Sequence, residues 1–536
     1  MLPVNAYNAS RKRYRSIISL LNPGRIGAMP VLRRFLLFFT LVLILLASIS
    51  GCSKPAAPSA GLTPTQTALR AAIAEELSAT IIPSPSATIS PTKTPTAAPV
   101  QSPHYTLEAV LDYEQHQLQV AEKIHYINNS TDRLSELLLM VDPLYFPGTF
   151  KLDSLNWEDG QPVENIITET GWLRFPLRQP LEPGQALDLS VAYQLNLPSP
   201  VPNAATRPIP FGYTSRQTNL VDWYPFVPPY ISGQGWLAHP AGYYGEHLVY
   251  DIADFTVNIR MNNPHPELIV AASAPGKKDG DWYRFEHDSA RNFAWSVSPY
   301  YQVLTGQAGP VKVTSYAFGG EGKANQAVLD TTLAAVELYS RLFGAYPRQE
   351  LSVVEADFLD GMEYDGLYFL SKGFYNLYTG TPAEYLVAIA AHETAHQWWY
   401  ALVGNDQALE PWLDEALATY SERLYYENLH PEALDWWWNY RVNYYQPRGW
   451  IDDTIYNPHG EVEAYRAYRE AVYLNGAKFL EELRQSIGDQ AFFDFLKDYA
   501  SQYQKRLATS KDFFSLLKQY SSTDLTSLLK NYFNKL

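Results

Sequence analysis

The sequence predicts an α+β protein of several domains, in which an antiparallel β domain of sandwich or saddle form precedes a mainly helical domain. Between residues 103 and 312, apolar and polar residues alternate, as in TLEAVLDYEQHQLQVAEKIHYIN, and turn signals such as NNS and EPGQ separate the segments. From about residue 321, apolar residues recur at helical spacing, as in ANQAVLDTTLAAVELYSRLFG. The apolar content of 46% excludes a wholly disordered chain.

Composition narrows the classes of partner and of metal site. The 536 residues include 41 Lys+Arg and 56 Asp+Glu, a formal net charge of −15, which argues against nucleic acid as a partner. The chain has one Cys, which excludes an intramolecular disulfide scaffold and a cysteine-rich zinc site. Any metal chemistry must therefore use His and carboxylate ligands.

Residues 1–51 have the pattern of an export signal. Basic residues precede an apolar stretch from Phe35 to Ile49, and no acidic residue occurs before Glu75. The following Ile49-Ser50-Gly51-Cys52 resembles a bacterial lipobox, which would make Cys52 the lipidated mature N-terminus. The alternative is a single uncleaved membrane anchor, because a span needs about 20 residues without charge. Met29 is a plausible true start under either interpretation.

Residues 52–102 are predicted to be the acylated Cys and a tether. Of the 50 residues after Cys52, 34 are Ala, Pro, Ser or Thr, a composition that buries too little apolar surface to fold. Both interpretations of the N-terminus therefore place the folded domains outside the cytoplasm, tethered to a bacterial membrane. The β domain is predicted over 103–312 and the helical domain over 313–536.

The strongest chemical signal is His392-Glu393-Thr394-Ala395-His396. Two His at positions i and i+4 lie on one face of a helix, so their imidazoles can bind one metal ion. Glu393 follows the first His and can reach a metal-bound water. The alternative for the pentapeptide alone is a pair of solvated or core histidines.

A third ligand is available in the next helical segment. Glu415 follows His396 after eighteen intervening residues, and Pro411 separates the two helical patterns. The second helix can therefore fold back antiparallel to the first and supply a carboxylate, which leaves one zinc position for water. Glu422 lies seven residues later on the same face, where it either orients a ligand from the second shell or is a solvated helix residue.

This spacing resembles that of the aminopeptidase N family of gluzincins, which includes leukotriene hydrolase. Three further segments are similar to family motifs. Phe343-Gly344-Ala345-Tyr346-Pro347 resembles the F-G-x-Y-P turn, and Asp360-Gly361-Met362-Glu363-Tyr364 resembles G-x-M-E-N. Val472-Tyr473-Leu474-Asn475-Gly476 falls where the family has its Y-E-K-G-like sequence.

The resemblance implies a thermolysin-like catalytic domain over 313–536 with one Zn²⁺ per chain on His392, His396 and Glu415. Manganese or cobalt also suits two His and a Glu. Glu393 is implied as the general base and Tyr473 as the donor to the oxyanion. Within the G-x-M-E-N-like segment, Gly361, Met362 and Glu363 are implied to bind substrate, with Glu363 holding the free α-amine.

The expected function is that of a membrane-tethered zinc aminopeptidase that removes N-terminal residues from peptides. The alternatives are a zinc endopeptidase of the same fold, if Glu363 binds no amine, and a peptide-binding lipoprotein without catalysis. A further hypothesis is that the β domain binds cell-wall or glycan material.

Several positions depart from the family pattern. Asp360 replaces the first Gly of G-x-M-E-N, Tyr364 its Asn, Ala416 the Gly after the third ligand, and Asn475 the Lys of Y-E-K-G. None of these removes a reacting group. The 121 residues after Glu415 leave no room for the large helical C-terminal domain of longer members, so we expect a short form with a more open cleft.

Overall fold

In the computed structural model, the alternating segments of the first half form strands and the periodic segments of the second half form helices, as predicted. The export signal, Cys52 and the tether as far as residue 101 lie outside the described residues. The structure describes residues 102–199, 209–242, 244–262, 268–319, 322–456 and 461–535, with the backbone alone at 461–464.

The strands are numbered in chain order. They are β1 (His104–Asp112), β2 (Gln117–Ile127), β3 (Leu134–Met140), β4 (Phe150–Trp157), β5 (Ile167–Glu169), β6 (Trp172–Leu181), β7 (Ala186–Asn196), β8 (Gly212–Tyr213), β9 (Thr218–Leu220), β10 (Tyr230–Ile231), β11 (Gly235–Trp236), β12 (Ala253–Asn262), β13 (Ile269–Ala272), β14 (Gly276–Asp279), β15 (Trp282–Ala290), β16 (Trp295–Ser298), β17 (Tyr301–Ala308), β18 (Val311–Phe318), β19 (Glu350–Ala356), β20 (Gly361–Tyr364), β21 (Leu367–Ser371), β22 (Val403–Gly404) and β23 (Arg506–Leu507).

The α-helices are numbered in the same way. They are α1 (Gly322–Phe343), α2 (Lys372–Leu377), α3 (Tyr385–Ala395), α4 (Trp412–Leu429), α5 (Leu434–Trp436), α6 (Glu461–Arg469), α7 (Gly476–Ile487), α8 (Asp489–Tyr503), α9 (Ser510–Leu517) and α10 (Thr526–Tyr532). Two π-helical segments, Trp437–Val442 and Glu470–Asn475, lie between them.

The β region is built on a seven-stranded sheet in the order β14-β15-β12-β1-β2-β7-β4. Smaller sheets, β13-β16-β9-β8 and β3-β6-β5, complete this region. The pairing differs from the antiparallel prediction at one place, because β1 and β12 are parallel. These two strands are far apart in sequence, and a long connection between them allows the parallel direction that a hairpin excludes.

A second sheet carries one wall of the candidate site. Its order is β17-β18-β19-β21-β20, with β18, β19 and β21 parallel and β20 antiparallel to β21 at the edge. Strand β19 is buried on both faces: Leu351 and Val353 belong to the helical core, whereas Val354 and Ala356 belong to the core of the β region. The sheet is therefore a wall shared by both cores. The boundary predicted at 312–313 falls inside β18.

Helices α1, α3 and α4 pack together behind this sheet. The hydroxyl of Tyr339 on α1 donates to the carbonyls of Ala391 on α3 and Ser421 on α4, at 3.2 and 3.0 Å. Helix α3 ends at Ala395, earlier than the helical pattern suggests, and a turn follows in which Tyr400 has a φ of 130°. Such a backbone conformation is incompatible with a helix continuing to Gly404.

Among the residues that the structure describes, every helix is either too short or too polar to cross a bilayer.

One buried residue conflicts with its surroundings in the seven-stranded sheet. The alternation along β2 directs Leu118, Val120 and Ile124 inward, and Glu122 points inward with them at 1% exposure. Neither carboxylate oxygen has a hydrogen-bond partner among the described residues. Burial raises the pKa of Glu122 well above its ordinary value, so the folded protein favours the neutral acid.

We expect Glu122→Leu to stabilise the protein, and to do so more at pH 8 than at pH 5. Above the ordinary pKa of 4.5 the unfolded chain releases this proton while the folded chain retains it, so wild-type stability falls as pH rises. The variant should gain about 1–3 kcal/mol in free energy of unfolding at pH 8, measured by urea denaturation. Glu108→Leu, at an exposed position of β1, is the control. Equal effects of both substitutions would contradict this expectation.

Candidate metal centre

Two neighbouring helices carry the predicted ligands. His392 lies in the last turn of α3, which is buried on all sides from Leu386 to Ala395, and His396 caps its C-terminal end. Helix α4 begins after Pro411 and carries Glu415 in its first turn and Glu422 two turns later. Because His392 contacts Glu422 and His396 contacts Glu415, the two helices run in opposite directions along the contact, as predicted.

The three predicted ligand atoms form a small triangle. The Nε2 atoms of His392 and His396 are 3.1 Å apart, and Glu415 Oε2 lies 3.2 Å from the first and 3.5 Å from the second. A tetrahedral zinc ion with bonds of about 2.0–2.1 Å separates its ligand atoms by about 3.3–3.4 Å. The observed edges therefore fit a zinc ion, and two imidazole nitrogens that face each other at this distance favour a cation between them.

Each imidazole is oriented through its other nitrogen. Nδ1 of His392 donates to Glu422 Oε1 at 2.9 Å, and Nδ1 of His396 donates to the carbonyl of Trp399 at 3.0 Å. These bonds leave both Nε2 atoms to face Glu415, the tautomer that a metal ligand requires. Glu422 is thus a buried partner of His392 and not a solvated helix residue.

Glu422 is held in turn by two residues that the sequence did not suggest. Trp437 Nε1 donates to Glu422 Oε2 at 2.8 Å, and the guanidinium of Arg441 donates to both oxygens at 3.0 and 2.7 Å. Both donors lie in the π-helical segment Trp437–Val442. Glu422 is fully buried, so this pairing with Arg441 compensates its charge.

Glu393 points away from its neighbours on α3 toward strand β20. Its carboxylate is 4% exposed, and Oε2 has no hydrogen-bond partner among the described residues. Gly361 lies against it so closely that a Cβ at that position would be 1.9 Å from Glu393 Oε1. The absence of a side chain at Gly361 therefore makes the space that the Glu393 carboxylate occupies.

Strand β20 also carries Met362 and Glu363. Glu363 is 7% exposed, and Gln407 Nε2 lies 3.4 Å from its Oε1. Burial raises the pKa of Glu363 to about 7. The negative charges of Glu415 and Asp414 add to this increase, and the charge of His396 opposes it. Glu363 and Met362 both line a pocket of about 300 Å³ next to the centre.

Tyr473 reaches the centre from the second π-helical segment, Glu470–Asn475. Its hydroxyl donates to Glu415 Oε1, and its ring is parallel to that of His392 at a centroid distance of 6.0 Å. Burial, followed by the charges of Glu415 and Glu246, raises its pKa well above the ordinary value. The hydroxyl therefore remains a hydrogen-bond donor at neutral pH.

The electrostatics of this cluster favour a bound cation. Burial lowers the pKa of His392. Its hydrogen bonds to Glu415 and Glu422 outweigh burial and raise that pKa to about 9. Burial raises the pKa of Glu415, but His392 and His396 outweigh it and hold that pKa at about 2. The field that draws a proton to the imidazoles also draws a divalent cation to the same nitrogens.

Two polar residues near the ligands were missed at the sequence level. Asp414 is 1% exposed and lies 3.4 Å from His396 Nδ1, and Gln407 donates to it at 2.8 Å. Asp414 could have been noticed as a second acid beside Glu415 at the start of a helix. Gln407 lies in the turn before α4 and has no sequence signal.

The chain was compared with known proteins. Residues 328–532 match the peptidase family M1 domain. Aminopeptidase M1-D of Oryza sativa subsp. japonica is 26% identical over 255 residues, 44% of this chain and 28% of that protein. Aminopeptidase N of Lactococcus lactis subsp. lactis is 26% identical over 161 residues, 28% of this chain and 18% of that protein. The chain thus covers less than a third of the length of either relative.

A solved structure covers more of the chain. A mutant M1 zinc metallopeptidase from Deinococcus radiodurans, bound to a Tyr-Ser-Ala substrate, is 19% identical, with a TM-score of 0.56. The match covers 81% of this chain and 95% of that one. This likeness confirms the predicted fold class, with a sheet-rich region followed by a helical one.

We expect Glu422→Gln to weaken zinc binding by about 10–100-fold, because His392 loses the carboxylate that orients it. The measurement is a competition titration of the full chain with a zinc chelator. Glu427→Gln is the matched control, since Glu427 lies on the same helix but pairs with Arg423 and Arg484. Equal zinc affinities for both variants would contradict a role of Glu422 at the centre.

Proposed function

Since this chain belongs to the aminopeptidase N family, the peptidase family M1, we propose that it is a zinc aminopeptidase that hydrolyses N-terminal residues from peptides. The observation that carries the proposal is the arrangement of the centre. His392, His396 and Glu415 form a zinc-sized triangle, Tyr473 donates to Glu415, and Glu393 interacts electrostatically with all three ligands. Glu363 stands beside it as an amine-binding carboxylate.

The donor set suits zinc, because two imidazoles and one carboxylate leave a position open. When bound, the metal supplies Lewis-acid polarisation of the scissile carbonyl and makes water more acidic. The metal-binding geometry itself depends on Glu422 and the carbonyl of Trp399, which hold the two imidazoles in place.

Glu393 is proposed as the proton-transfer group. Its carboxylate lies between Gly361 and the ligands, near enough for the charges of His392 and His396 to act on it. It accepts the proton of the attacking water and later delivers it to the nitrogen of the leaving amine. This assignment rests on the position of the carboxylate and on the neighbouring glycine.

Tyr473 is proposed to bind the carbonyl oxygen of the substrate's first residue, and Glu363 is proposed to bind its α-amine. The Tyr473 hydroxyl, next to Glu415, donates to the oxygen that gains negative charge as water adds to the carbonyl. Glu363 pairs with the α-ammonium group, which places the first peptide bond at the metal. An enzyme that anchors the amine in this way removes residues from the N-terminus.

The test of the aminopeptidase proposal is to incubate the zinc-loaded full chain with one tripeptide in free and N-acetylated forms. Only the free form should be cleaved, with release of its first residue, because the acetyl group removes the charge that Glu363 binds. Glu393→Gln should lower kcat by about 10²–10⁴-fold, the usual contribution of acid–base catalysis. Glu337→Gln, at an exposed position of α1, is the matched control.

The other outcomes separate the alternatives. Internal cleavage of both forms would identify an endopeptidase and remove the amine-binding role from Glu363. Cleavage of neither form, with zinc bound, would favour a peptide-binding protein without catalysis.

The chain is also proposed to be a lipoprotein outside the cytoplasm, tethered to a bacterial membrane through Cys52. The support is the sequence pattern of a basic segment, an apolar stretch and a lipobox-like Ile49-Ser50-Gly51-Cys52.

The lipoprotein proposal is tested in a bacterial host supplied with labelled fatty acid. The wild-type chain should incorporate the label and sediment with membranes, and Cys52→Ala should abolish incorporation. Ser53→Ala is the control. If the wild-type chain and Cys52→Ala both sediment with membranes and neither incorporates the label, the uncleaved anchor would be supported instead.

A further inference from the structure

The carboxylate of Glu422, which holds Nδ1 of His392, accepts two hydrogen bonds at each of its oxygens. Oε1 accepts from His392 Nδ1 at 2.9 Å and from Arg441 Nη2 at 2.7 Å. Oε2 accepts from Trp437 Nε1 at 2.8 Å and from Arg441 Nε at 3.0 Å. A carboxylate offers about four acceptor positions, so all of them are in use. Arg441 supplies two of the four donors, one for each oxygen.

Arg441 also supplies the positive charge that this carboxylate faces. Its guanidinium binds both oxygens of Glu422, a bidentate geometry that a lysine ammonium cannot reproduce. Arg441 is 4% exposed and Glu422 is 0% exposed, so water solvates neither charge. Among the described residues, Glu422 is the one carboxylate within ion-pair distance of Arg441. The two side chains therefore form a buried unit in which each charge depends on the other.

His392 connects this buried pair to the metal centre. Its Nε2 lies 3.1 Å from His396 Nε2 and 3.2 Å from Glu415 Oε2, while Nδ1 on the other side of the ring donates to Glu422. The direction of the imidazole therefore depends on where Glu422 Oε1 is held. Arg441 binds this same oxygen. If the carboxylate moved when Arg441 was lost, the ring would turn and Nε2 would leave its place in the ligand triangle.

The π-helical segment Trp437–Val442 presents both donors to one carboxylate. Trp437 and Arg441 are buried, whereas Asn439 and Tyr440 between them are exposed. The two donors are four residues apart, close to one turn of a π-helix, so both point to the same side of the segment. π-Helical turns are rare and occur frequently at functional sites. The segment thus has an inner face that serves Glu422 and an outer face in solvent.

We propose that Arg441 is a positioning residue of the metal centre, which acts through Glu422 to keep the imidazole of His392 in the orientation that binds zinc. This inference rests on the metal centre of the proposed function. It goes further by assigning part of the zinc affinity to a residue that is not itself a ligand.

The first test is the zinc affinity of the full chain with Arg441→Met, measured by competition with a zinc chelator. The variant should bind zinc about 10–100-fold more weakly, the usual effect of losing a group that orients a metal-bound imidazole. Arg423→Met is the matched control, because Arg423 is 7% exposed and pairs with Glu427 and Glu481, neither of which is a predicted ligand. An unchanged affinity in Arg441→Met, or an equal loss in both variants, would overturn the proposal.

A double variant shows whether Arg441 acts through Glu422. In a chain that already carries Glu422→Gln, Arg441→Met should cause no further loss of zinc affinity, because its connection to His392 is already interrupted. A further loss of about tenfold or more would give Arg441 an independent role and contradict the proposal. The double variant removes both charges of the buried pair, so it remains a folded reference if a single substitution destabilises the chain.

A spectroscopic measurement separates this proposal from the aminopeptidase function. The visible spectrum of Co²⁺ bound to the full chain reports the geometry of the ligands without any peptide cleavage. Arg441→Lys retains the positive charge but cannot bind both oxygens, so its Co²⁺ spectrum should differ from that of the wild type. Arg423→Lys is the control and should leave the spectrum unchanged.

The outcomes of the two proposals are distinguishable. A changed spectrum in Arg441→Lys alone would support the positioning role even if no peptide were cleaved. Wild-type spectra in both lysine variants, in a chain that still removes N-terminal residues, would retain the peptidase and reject the role of Arg441.

Discussion

Burial of charge between α3, α4 and β20 is the constraint on which the rest of the site depends. Six ionisable side chains meet there with at most 7% exposure. Carboxylates outnumber imidazoles, so protons or a bound cation must offset their charge, and hydrogen bonds around them must hold them in place. Glu422 and Arg441 extend this compensation outward from His392. The six are Glu363, Glu393, Asp414, Glu415, His392 and His396.

The sequence predicted the parts of the centre that depend on helical periodicity. His392 and His396 are four residues apart, and Glu415 and Glu422 seven, so each pair faces one direction whatever the rest of the fold does. Arg441 and Trp437 could not be predicted, because a π-helical segment brings them to Glu422 from a separate part of the chain. The end of α3 at Ala395 could not be predicted either, because the apolar pattern continues beyond it.

Two departures from the family motifs have a structural explanation. At the first position of the G-x-M-E-N-like segment, Asp360 has a φ of 114°, a strained value for a residue with a side chain. Its carboxylate accepts a hydrogen bond from Tyr465 at 3.0 Å, and its carbonyl accepts one from Ser371 at 2.8 Å. These contacts hold the strained residue in place. The glycine stands one position later, at Gly361, where the Glu393 carboxylate leaves no room for a Cβ.

A second departure concerns the contact between α4 and α7. Ala416 carries a methyl group where the family has Gly, directly after the third ligand. A Cβ added to Gly476 would lie 2.4 Å from the Ala416 Cβ, so only one of these two positions can bear a methyl group. Gly476 corresponds to the Gly of the Y-E-K-G-like sequence, so the methyl group of Ala416 packs against a position without a side chain. This contact matters to the site because Tyr473 precedes α7 and Glu415 precedes Ala416.

The β region contributes side chains directly to the candidate site. Asp222, Tyr250 and Asn292 all come from that region, and they line the pocket beside Glu363. Asn292 accepts a hydrogen bond from the backbone of Asp365, next to β20, at 3.0 Å. The shared sheet therefore fixes the β-region wall relative to the metal centre. Substitutions in the β region can therefore change the shape of this pocket without altering the side chains that form the metal centre.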